Sequence, residues 1–406
     1  MADRVTVIGW DGTPLTAAAR SAVAAATLVA GTRHHLALPD VPAAAERVLV
    51  GSLELAARRI AAHRGTAVVF ADGDPGFFGV VRALRRPEHG LEVEVLPAVS
   101  SVAAAFARAG MPWDDARVVV AHRRTLRRAV NVCRAHTKVA VLTAPGAGPA
   151  ELALLLGEVH RTFVICEELG TDQERVTVIT SDKVADHLWR DPNVVLVIGG
   201  SNTPAGQAGW ISGHSPEYPG DVRGWALPAH EYDGEPHPRT PADEASSPQL
   251  RALQLARLGP RTGDLLWDVG SAGGAAAVEA ARFGAAVIAV EPDAAACART
   301  TANARRFGVQ VQVVHGTAPA VLEDLPEPDL VRIGGGGAAV AAACAARRPE
   351  RIVASALTRD EAESVRAALE SAGYITECEL LQSVGLDGQW AERERSTAFL
   401  ICGRRG

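Results

Sequence analysis

The pattern that most constrains this chain is a strand, a glycine-rich turn, a helix and a second strand ending in an acid, over residues 265–291. The apolar run LLWDV leads into GSAGG, an alanine-rich stretch follows, and AAVIAVE closes the unit. Gly270, Gly273 and Gly274 allow a sharp turn and close approach of a ligand to the helix N-terminus. Glu291 follows about twenty residues after the loop, where a carboxylate can bind two ribose hydroxyls. The order predicts an α/β fold with a nucleoside-binding site.

The residues of the loop narrow the choice of nucleoside ligand. Nicotinamide-binding folds usually carry GxGxxG, whose glycines bring the backbone against a pyrophosphate, whereas this loop reads GSAGG. We therefore favour S-adenosylmethionine (SAM), which has no pyrophosphate. The alternative is an ordinary strand-to-helix turn followed by a surface glutamate. A second glycine run, IGGGG at 333–337, follows another strand and exposes bare backbone where open α/β sheets bind ligands.

Short apolar runs alternate with helix-like stretches along most of the 406 residues, which predicts an α/β protein of two or three domains. Between the halves, residues 200–245 are rich in Pro, Gly, Ser and Asp and predict a linker anchored by aromatic residues. The anchoring candidates are Trp210, Tyr218, Trp225 and Tyr232. The predicted strands are 5–8, 67–70, 93–96, 117–120, 139–142, 162–166, 194–198, 265–269, 286–290, 311–315, 330–333, 351–354 and 397–402.

Several features of the composition exclude whole classes of function. A net charge of -6 argues against a nucleic-acid partner. The six cysteines are scattered without a CxxC pair, so we predict neither a disulfide framework nor a metal site, and we expect a reducing, cytoplasmic setting. The sequence contains no run of 18 apolar residues and no signal-peptide pattern at its start, so we expect no membrane span.

The motifs of the second half occur in a specific order: WDVG, EPD, NARRFGV, GTAP and IGGGG. Over about residues 225–406 this order resembles the CbiT-type precorrin methyltransferase-decarboxylase family. The resemblance implies a Rossmann-like class I SAM methyltransferase domain at 246–406. It further implies cofactor contacts through Asp268, Gly270, Ala272, Gly274, Glu291, Thr317 and Ala318. It also implies that Gly334, Gly335 and Gly336 lie near the substrate.

The first half carries VTVIGWDGTPLT, FADGDPGFFG, LPAVSS, VLTAPGAGPAEL and ICEELGTDQERV in turn. Over residues 1–199 these segments resemble the CbiE-type family of tetrapyrrole methylases. The resemblance implies a two-lobed α/β fold that binds SAM in the cleft between its lobes, largely through loop backbone. The implied cofactor contacts are Gly73, Asp74, Pro75, Ser100, Ser101, Thr143, Ala144 and Leu169. The residues implied to face the substrate are Gly9 and Asp11.

The two types of domain follow one another in a single chain, which resembles the bifunctional precorrin C5,15-methyltransferase (decarboxylating) family of cobalamin biosynthesis. The resemblance implies C5 methylation by the first domain. It implies C15 methylation and loss of the ring C acetate carboxylate by the second. A precorrin is then the substrate, SAM the methyl donor, and a homo-oligomer the expected assembly.

Four departures from these families keep two alternatives open. The chain has GSAGG where the CbiT type usually has GAGSG or GAGTG, and Thr317 stands where GDAP would place an Asp. The family's Thr-Lys pair before the first helix is missing, and the N-terminal turn reads GWDGT instead of GxGPG. The alternatives are a SAM-dependent methyltransferase for another small molecule, or a fusion whose C-terminal domain is catalytically degenerate.

No catalytic side chain is predicted, because an electron-rich macrocycle carbon can attack a sulfonium methyl without a protein nucleophile. The histidines are expected to be surface or core residues. Arginine pairs with carboxylates bidentately, so a polycarboxylate substrate favours arginine clusters. In AHRRTLRRAV, positions 123 and 127 share one helix face, as do 124 and 128. Such a helix can equally be a solvated surface. The candidate arginines are Arg33, Arg123, Arg124, Arg127 and Arg128.

Overall fold

The computed structural model describes residues 4–199, 224–232 and 247–406, and three β-sheets organise them. The first sheet is wholly parallel, in the order β3-β2-β4-β1-β5. Its elements are β1 Arg4–Trp10, α1 Ala17–Ala24, β2 Leu28–Gly31, α2 Arg33–Leu36, β3 Glu46–Leu49, α3 Leu53–Ala61, β4 Ala67–Asp72, α4 Val80–Leu84 and β5 Glu92–Leu96. The central strands β1 and β4 are mainly apolar because both of their faces pack into hydrophobic clusters.

The second sheet has the order β6-β7-β10-β8-β9, and only the β6–β7 pair is parallel. Its elements are α5 Ser101–Ala109, β6 Arg117–Val120, α6 Leu126–Ala135, β7 Lys138–Leu142, α7 Pro149–Leu156, β8 Thr162–Glu167, β9 Arg175–Thr180 and β10 Asn193–Ile198. Helix α5 packs on one face of this sheet, and α6 and α7 pack on the other. The two sheets form the two lobes that the N-terminal resemblance implies.

The third sheet contains seven strands in the order β13-β12-β11-β14-β15-β17-β16. Its elements are α8 Pro248–Leu258, β11 Leu265–Val269, α9 Ala275–Arg282, β12 Ala286–Glu291, α10 Ala294–Arg306, β13 Gln312–His315, β14 Leu330–Ile333, α11 Gly337–Ala346, β15 Arg351–Ala356, α12 Arg359–Ser371, β16 Tyr374–Leu386 and β17 Glu392–Arg405. The strands are parallel as far as β15, and β17 enters antiparallel between β15 and β16. The predicted Rossmann-like domain is confirmed.

A short segment ahead of this domain packs against it. Within residues 224–232, Leu227 and Tyr232 are buried against α9 and α10. The carboxylate of Glu279 on α9 accepts hydrogen bonds from the Leu227 amide (3.1 Å) and the Tyr232 hydroxyl (2.5 Å), and it pairs with Arg251 of α8 at 3.0 Å. Burying a charge is costly unless it is paired, so this network fixes the segment to the domain.

The prediction that aromatic residues anchor the linker can be compared with the structure only in part. Tyr232 is buried against the C-terminal domain, whereas Trp210 and Tyr218 lie outside the described residues. The predicted limits of the domains, 1–199 and 246–406 with a linker at 200–245, remain predictions. Among the helices that the structure describes, none has the length and apolar character needed to cross a membrane.

Candidate functional site

The C-terminal candidate site lies where β11, β12 and β14 end. Glu291, the last residue of β12, is 8% exposed and holds the glycine loop through its carboxylate. One oxygen accepts from the Ala272 amide at 2.8 Å, and the other accepts from the Asp293 amide at 3.1 Å. A carboxylate offers about four acceptor positions, so Glu291 retains capacity for two ligand hydroxyls.

Two glycine loops touch at this edge. A Cβ on Gly334 would lie 2.4 Å from the carbonyl oxygen of Gly270, whereas one on Gly335 would meet nothing within 4 Å. The space beside Gly335 is therefore open to a ligand. Ala272 has a left-handed backbone although it is not glycine, and such strain is characteristic of ligand-binding loops. The positive φ angles are Gly270 72°, Ala272 49°, Gly274 77° and Gly336 90°.

Asp268 is at the end of β11 but lies beneath the loop. It is fully buried, and its carboxylate pairs with the guanidinium of Arg332 at 2.6 Å. The same guanidinium donates to the side-chain oxygen of Gln254 at 2.9 Å and to the carbonyl of Gly270 at 3.4 Å. Arg332 was not among the predicted site residues, although a charge inside the apolar strand DLVRI is a signal that could have found it. Arg332 therefore positions the loop from below through its bond to the Gly270 carbonyl.

The segment after β13 lies beside Glu291, as the resemblance implies. The Gly316 amide donates to the backbone carbonyl of Glu291 at 3.0 Å, and Thr317 and Ala318 follow directly. Ala318 packs partly buried against the core of the sheet. The structure therefore brings the predicted residues 317 and 318 to the same edge as the predicted ribose carboxylate.

The N-terminal candidate site lies at the carboxyl edge of the first sheet, where the loops after β1, β4 and β5 meet. A Cβ on Gly9 would lie 2.3 Å from the Gly73 carbonyl oxygen and 2.9 Å from a ring carbon of Pro75. A Cβ on Gly73 would lie 2.8 Å from the Ser101 amide and 3.1 Å from the Cα of Ser100. These contacts bring five predicted residues together through backbone that has no room for a side chain.

The loop after β1 also joins the two lobes. A Cβ on Gly12 would lie 1.7 Å from the carbonyl oxygen of Gly170, the neighbour of Leu169 in the second lobe. Asp11 accepts from the Val99 amide at 3.2 Å and from Thr13. Burial by itself raises the pKa of Asp11, but these hydrogen bonds outweigh it and lower the pKa below its ordinary value. Asp11 is thus a charged group at the junction of the lobes.

Several predicted side chains have structural partners. Asp74 accepts from the Gly76 amide at 2.8 Å, and the Ser100 hydroxyl caps α5 by accepting from Ala103 at 3.1 Å. Thr143, the residue after β7, donates to Asn193 at the start of β10, 2.6 Å to the backbone oxygen, and Ala144 follows it in the loop. Each of these three side chains has a partner within the protein.

A histidine cluster beside this edge was not predicted as a site. Asp72, which ends β4, lies 2.9 Å from Nε2 of His34 and 3.2 Å from Nε2 of the buried His35. Nδ1 of His35 accepts from the Thr32 amide at 3.3 Å, which places the ring proton on Nε2, toward Asp72. That tautomer favours a hydrogen bond over a metal ion. Burial raises the pKa of Asp72, but the hydrogen bonds from His34 and His35 outweigh it and hold the pKa far below its ordinary value.

The predicted arginine cluster divides between two places. Arg127 and Arg128 lie at a contact with the C-terminal half: Arg127 pairs with Asp329, and the Arg128 side chain packs beside Gly263. Both side chains are exposed, as the alternative of a solvated helix surface implies, although they also lie beside the C-terminal half. Arg123 lies against the loop after β7, 2.7 Å from the place of a Cβ on Gly146. It remains a candidate for binding a substrate carboxylate.

Comparison with known proteins divides the chain in the same way. Residues 11–185 match the family of tetrapyrrole (corrin/porphyrin) methylases, and residues 244–399 match the precorrin methyltransferase domain. The chain is 36% identical over 372 residues to a precorrin-6Y C(5,15)-methyltransferase [decarboxylating] from Sinorhizobium sp, an alignment that covers 87% of this chain and 84% of that protein.

Two further relatives each match one part of the chain. A cobalt-precorrin-7 C(5)-methyltransferase from Salmonella typhimurium is 35% identical over 170 residues, 40% of this chain and 82% of that protein. A probable cobalt-precorrin-6B C(15)-methyltransferase (decarboxylating) from Pyrobaculum calidifontis is 40% identical over 136 residues, 31% of this chain and 68% of that protein. With both family domains present and a relative matched over most of its length, the chain belongs to the family of precorrin-6Y C5,15-methyltransferases (decarboxylating).

Proposed function

We propose that this chain methylates a precorrin at C5 and C15 and removes the carboxylate of the ring C acetate, with SAM as methyl donor, in cobalamin biosynthesis. The main support is that one chain of this family carries two separate ligand edges, each built from glycine loops at the carboxyl ends of parallel strands. We assign C5 to the N-terminal half, and C15 with decarboxylation to the C-terminal half, because the relatives that match one part each carry those names.

The residues of the C-terminal edge fit SAM. Glu291 has free acceptor capacity at the strand end where a ribose would bind, and the backbone at Gly335 is open. Among the described residues, the buried hydroxyl of Ser271 in the same loop has no hydrogen-bond partner. We propose that Gly270, Ala272 and Gly274 face the methionine part of SAM and that 317 and 318 lie near its adenine. Asp268 would act there through its pair with Arg332 and through its second carboxylate oxygen, which is likewise without a hydrogen-bond partner among the described residues.

At the N-terminal edge we propose that the backbone of Gly73, Asp74, Pro75, Ser100, Ser101, Thr143, Ala144 and Leu169 surrounds SAM. Gly9 and Asp11 would face the tetrapyrrole at this edge. The corresponding residues at the C-terminal edge would be Gly334, Gly335 and Gly336. Because all of these contacts are largely backbone, a side chain introduced at a tight position should act by displacing a loop.

The proposed reactions require the protein mainly to position the reactants. SAM supplies an electrophilic methyl group on a sulfonium. The macrocycle carbon forms the new C–C bond as the C–S bond breaks, so the protein must align the reactants and exclude water. In the decarboxylation, the electron pair of the breaking C–C bond enters the conjugated ring, and a proton is later taken up on carbon. Neither step requires a protein nucleophile.

The number of SAM molecules bound tests the two-site proposal. In titration calorimetry with the full chain we expect two SAM per chain, because both edges are complete. A single SAM per chain that is unaffected by Glu291→Ala would instead support the alternative of a catalytically degenerate C-terminal domain. We also propose a cytoplasmic homo-oligomer, on the family resemblance and the scattered cysteines.

A further inference from the structure

The two halves of the chain contact each other through α6 and the amino-terminal edge of the third sheet. Asn131 of α6 is 1% exposed, and its side-chain amide donates to the Gly263 carbonyl at 3.0 Å. Arg127 pairs with the Asp329 carboxylate and donates to the Glu327 carbonyl at 3.3 Å. Since Gly263 precedes β11 and Asp329 precedes β14, the N-terminal half sits where these strands begin.

The C-terminal ligand edge lies at the other end of the same strands. In a parallel sheet all carboxyl ends point the same way, and here they carry Glu291 and the glycine loops. β11 spans Leu265–Val269, and at a rise of about 3.3 Å per residue its first and last residues are about 13 Å apart. The C-terminal site therefore opens on the side of the sheet that faces away from the N-terminal half.

The cavity found at the contact between the described parts of the two halves is too small for a tetrapyrrole. A cavity of about 240 Å³ lies at the contact, lined in part by Arg134 and Arg161 on one side and Val287 and Val311 on the other. Pockets for drug-sized ligands measure about 300–1,000 Å³. Arg161 is held by the Cys133 carbonyl at 3.3 Å, so the wall of this cavity is part of the packed core. It offers no route between the two ligand edges.

We propose that the tetrapyrrole intermediate leaves the enzyme for solvent between the two methylations and is not passed internally from one site to the other. The inference rests on the proposed function, since it needs two active sites. It follows from the direction in which the sheet is docked: the intermediate must leave one edge and enter another that opens elsewhere. The two halves then contain independent active sites that are joined only by being in one chain.

An isotope-dilution experiment with the wild-type full chain tests this proposal. The intermediate is first prepared with single-site variants: Glu291→Ala to disable the C-terminal edge and Gly9→Ala to disable the N-terminal edge. Whichever site acts second, the variant that lacks it accumulates the singly methylated compound. That unlabelled compound is then added in tenfold excess to wild-type enzyme turning over a ring-labelled precorrin substrate with SAM.

A released intermediate mixes with the added pool, so we expect the label in early doubly methylated product to fall by about tenfold or more. Label that stays at its undiluted level, whatever the excess, would mean direct transfer and would overturn the proposal. The failure of the proposed function looks different. In that case wild-type enzyme makes no doubly methylated product even without the added compound.

Discussion

Replacing Glu291 by alanine is expected to abolish C15 methylation and decarboxylation while leaving C5 methylation within about twofold of wild type. The carboxylate holds the Ala272 amide at 2.8 Å and has free acceptor positions for a ribose. Hydrogen bonds to a charged group contribute about 1.5–3 kcal/mol each. Loss of two such bonds should weaken SAM binding at this edge by about 100-fold or more, measured as the KM for SAM in single-site assays.

Asp293→Ala is the matched control for this change. Asp293 lies two residues further on and caps α10 by accepting from the Ala296 amide at 2.8 Å, while its own backbone amide, not its side chain, contacts Glu291. Its loss should cost about 1 kcal/mol of stability and leave C15 methylation nearly unchanged. If Glu291→Ala lowered both methylations equally when each site is assayed with its own substrate, the two edges would not be independent sites.

The second large effect is expected from Gly9→Ala, which should abolish C5 methylation and spare C15. The added Cβ would lie 2.3 Å from the Gly73 carbonyl oxygen and 2.7 Å from the Ala98 amide. Both neighbours are backbone, so the loops themselves must move. A displacement of about 1 Å at an active site can cost about 100-fold in rate. The yield of each methylation, resolved by the position of a labelled methyl group in the product, measures the effect.

Gly51→Ala controls for the loss of a glycine in the same lobe. A Cβ at this position meets nothing within 4 Å, and its φ lies outside the left-handed range. It should leave both methylations unchanged. Comparable activity of Gly9→Ala and Gly51→Ala at both positions would contradict the assignment of the Gly9 edge to C5. A circular dichroism melt of each variant separates a loop displacement from unfolding.

Many of the strands could be predicted from short segments of the sequence. The run LLWDV followed by glycine predicts a strand at 265–269, and β11 has those bounds. The predicted strand at 117–120 likewise coincides with β6. β11 is buried in the middle of its sheet, whereas β6 is a partly buried edge strand, and in both of them a continuous apolar run gives the signal. The confirmed Rossmann-like and two-lobed folds rest on such segments.

Other strands lacked a local signal. β16 spans Tyr374–Leu386 and was not predicted, and β17 spans Glu392–Arg405 where the sequence predicts only 397–402. Most of β16 is partly or fully exposed, and polar residues interrupt its apolar ones. Its pairing with β17 is what makes it a strand, and that contact cannot be read from either segment alone.

The candidate site shows the same division. The glycine loops and Glu291 follow from short motifs, but the pair between Asp268 and Arg332 joins positions 64 residues apart. The docking of α6 through Arg127 is equally non-local, because its partner Asp329 lies 202 residues further along the chain. The spacing of the motifs predicts which residues form the ligand edges. The contacts that orient those residues depend on the tertiary fold and cannot be predicted from the motifs.

The most direct measurement is the mass of the product formed by wild-type enzyme with SAM and the precorrin-6 substrate. We expect a compound that has gained two methyl groups and lost one carbon dioxide. Its formation should require both Gly9 and Glu291. The products of Gly9→Ala and of Glu291→Ala should each contain no more than one added methyl group. A wild-type product with a single added methyl group, or one that keeps every carboxylate, would contradict the assignment of two methylations and a decarboxylation to this chain.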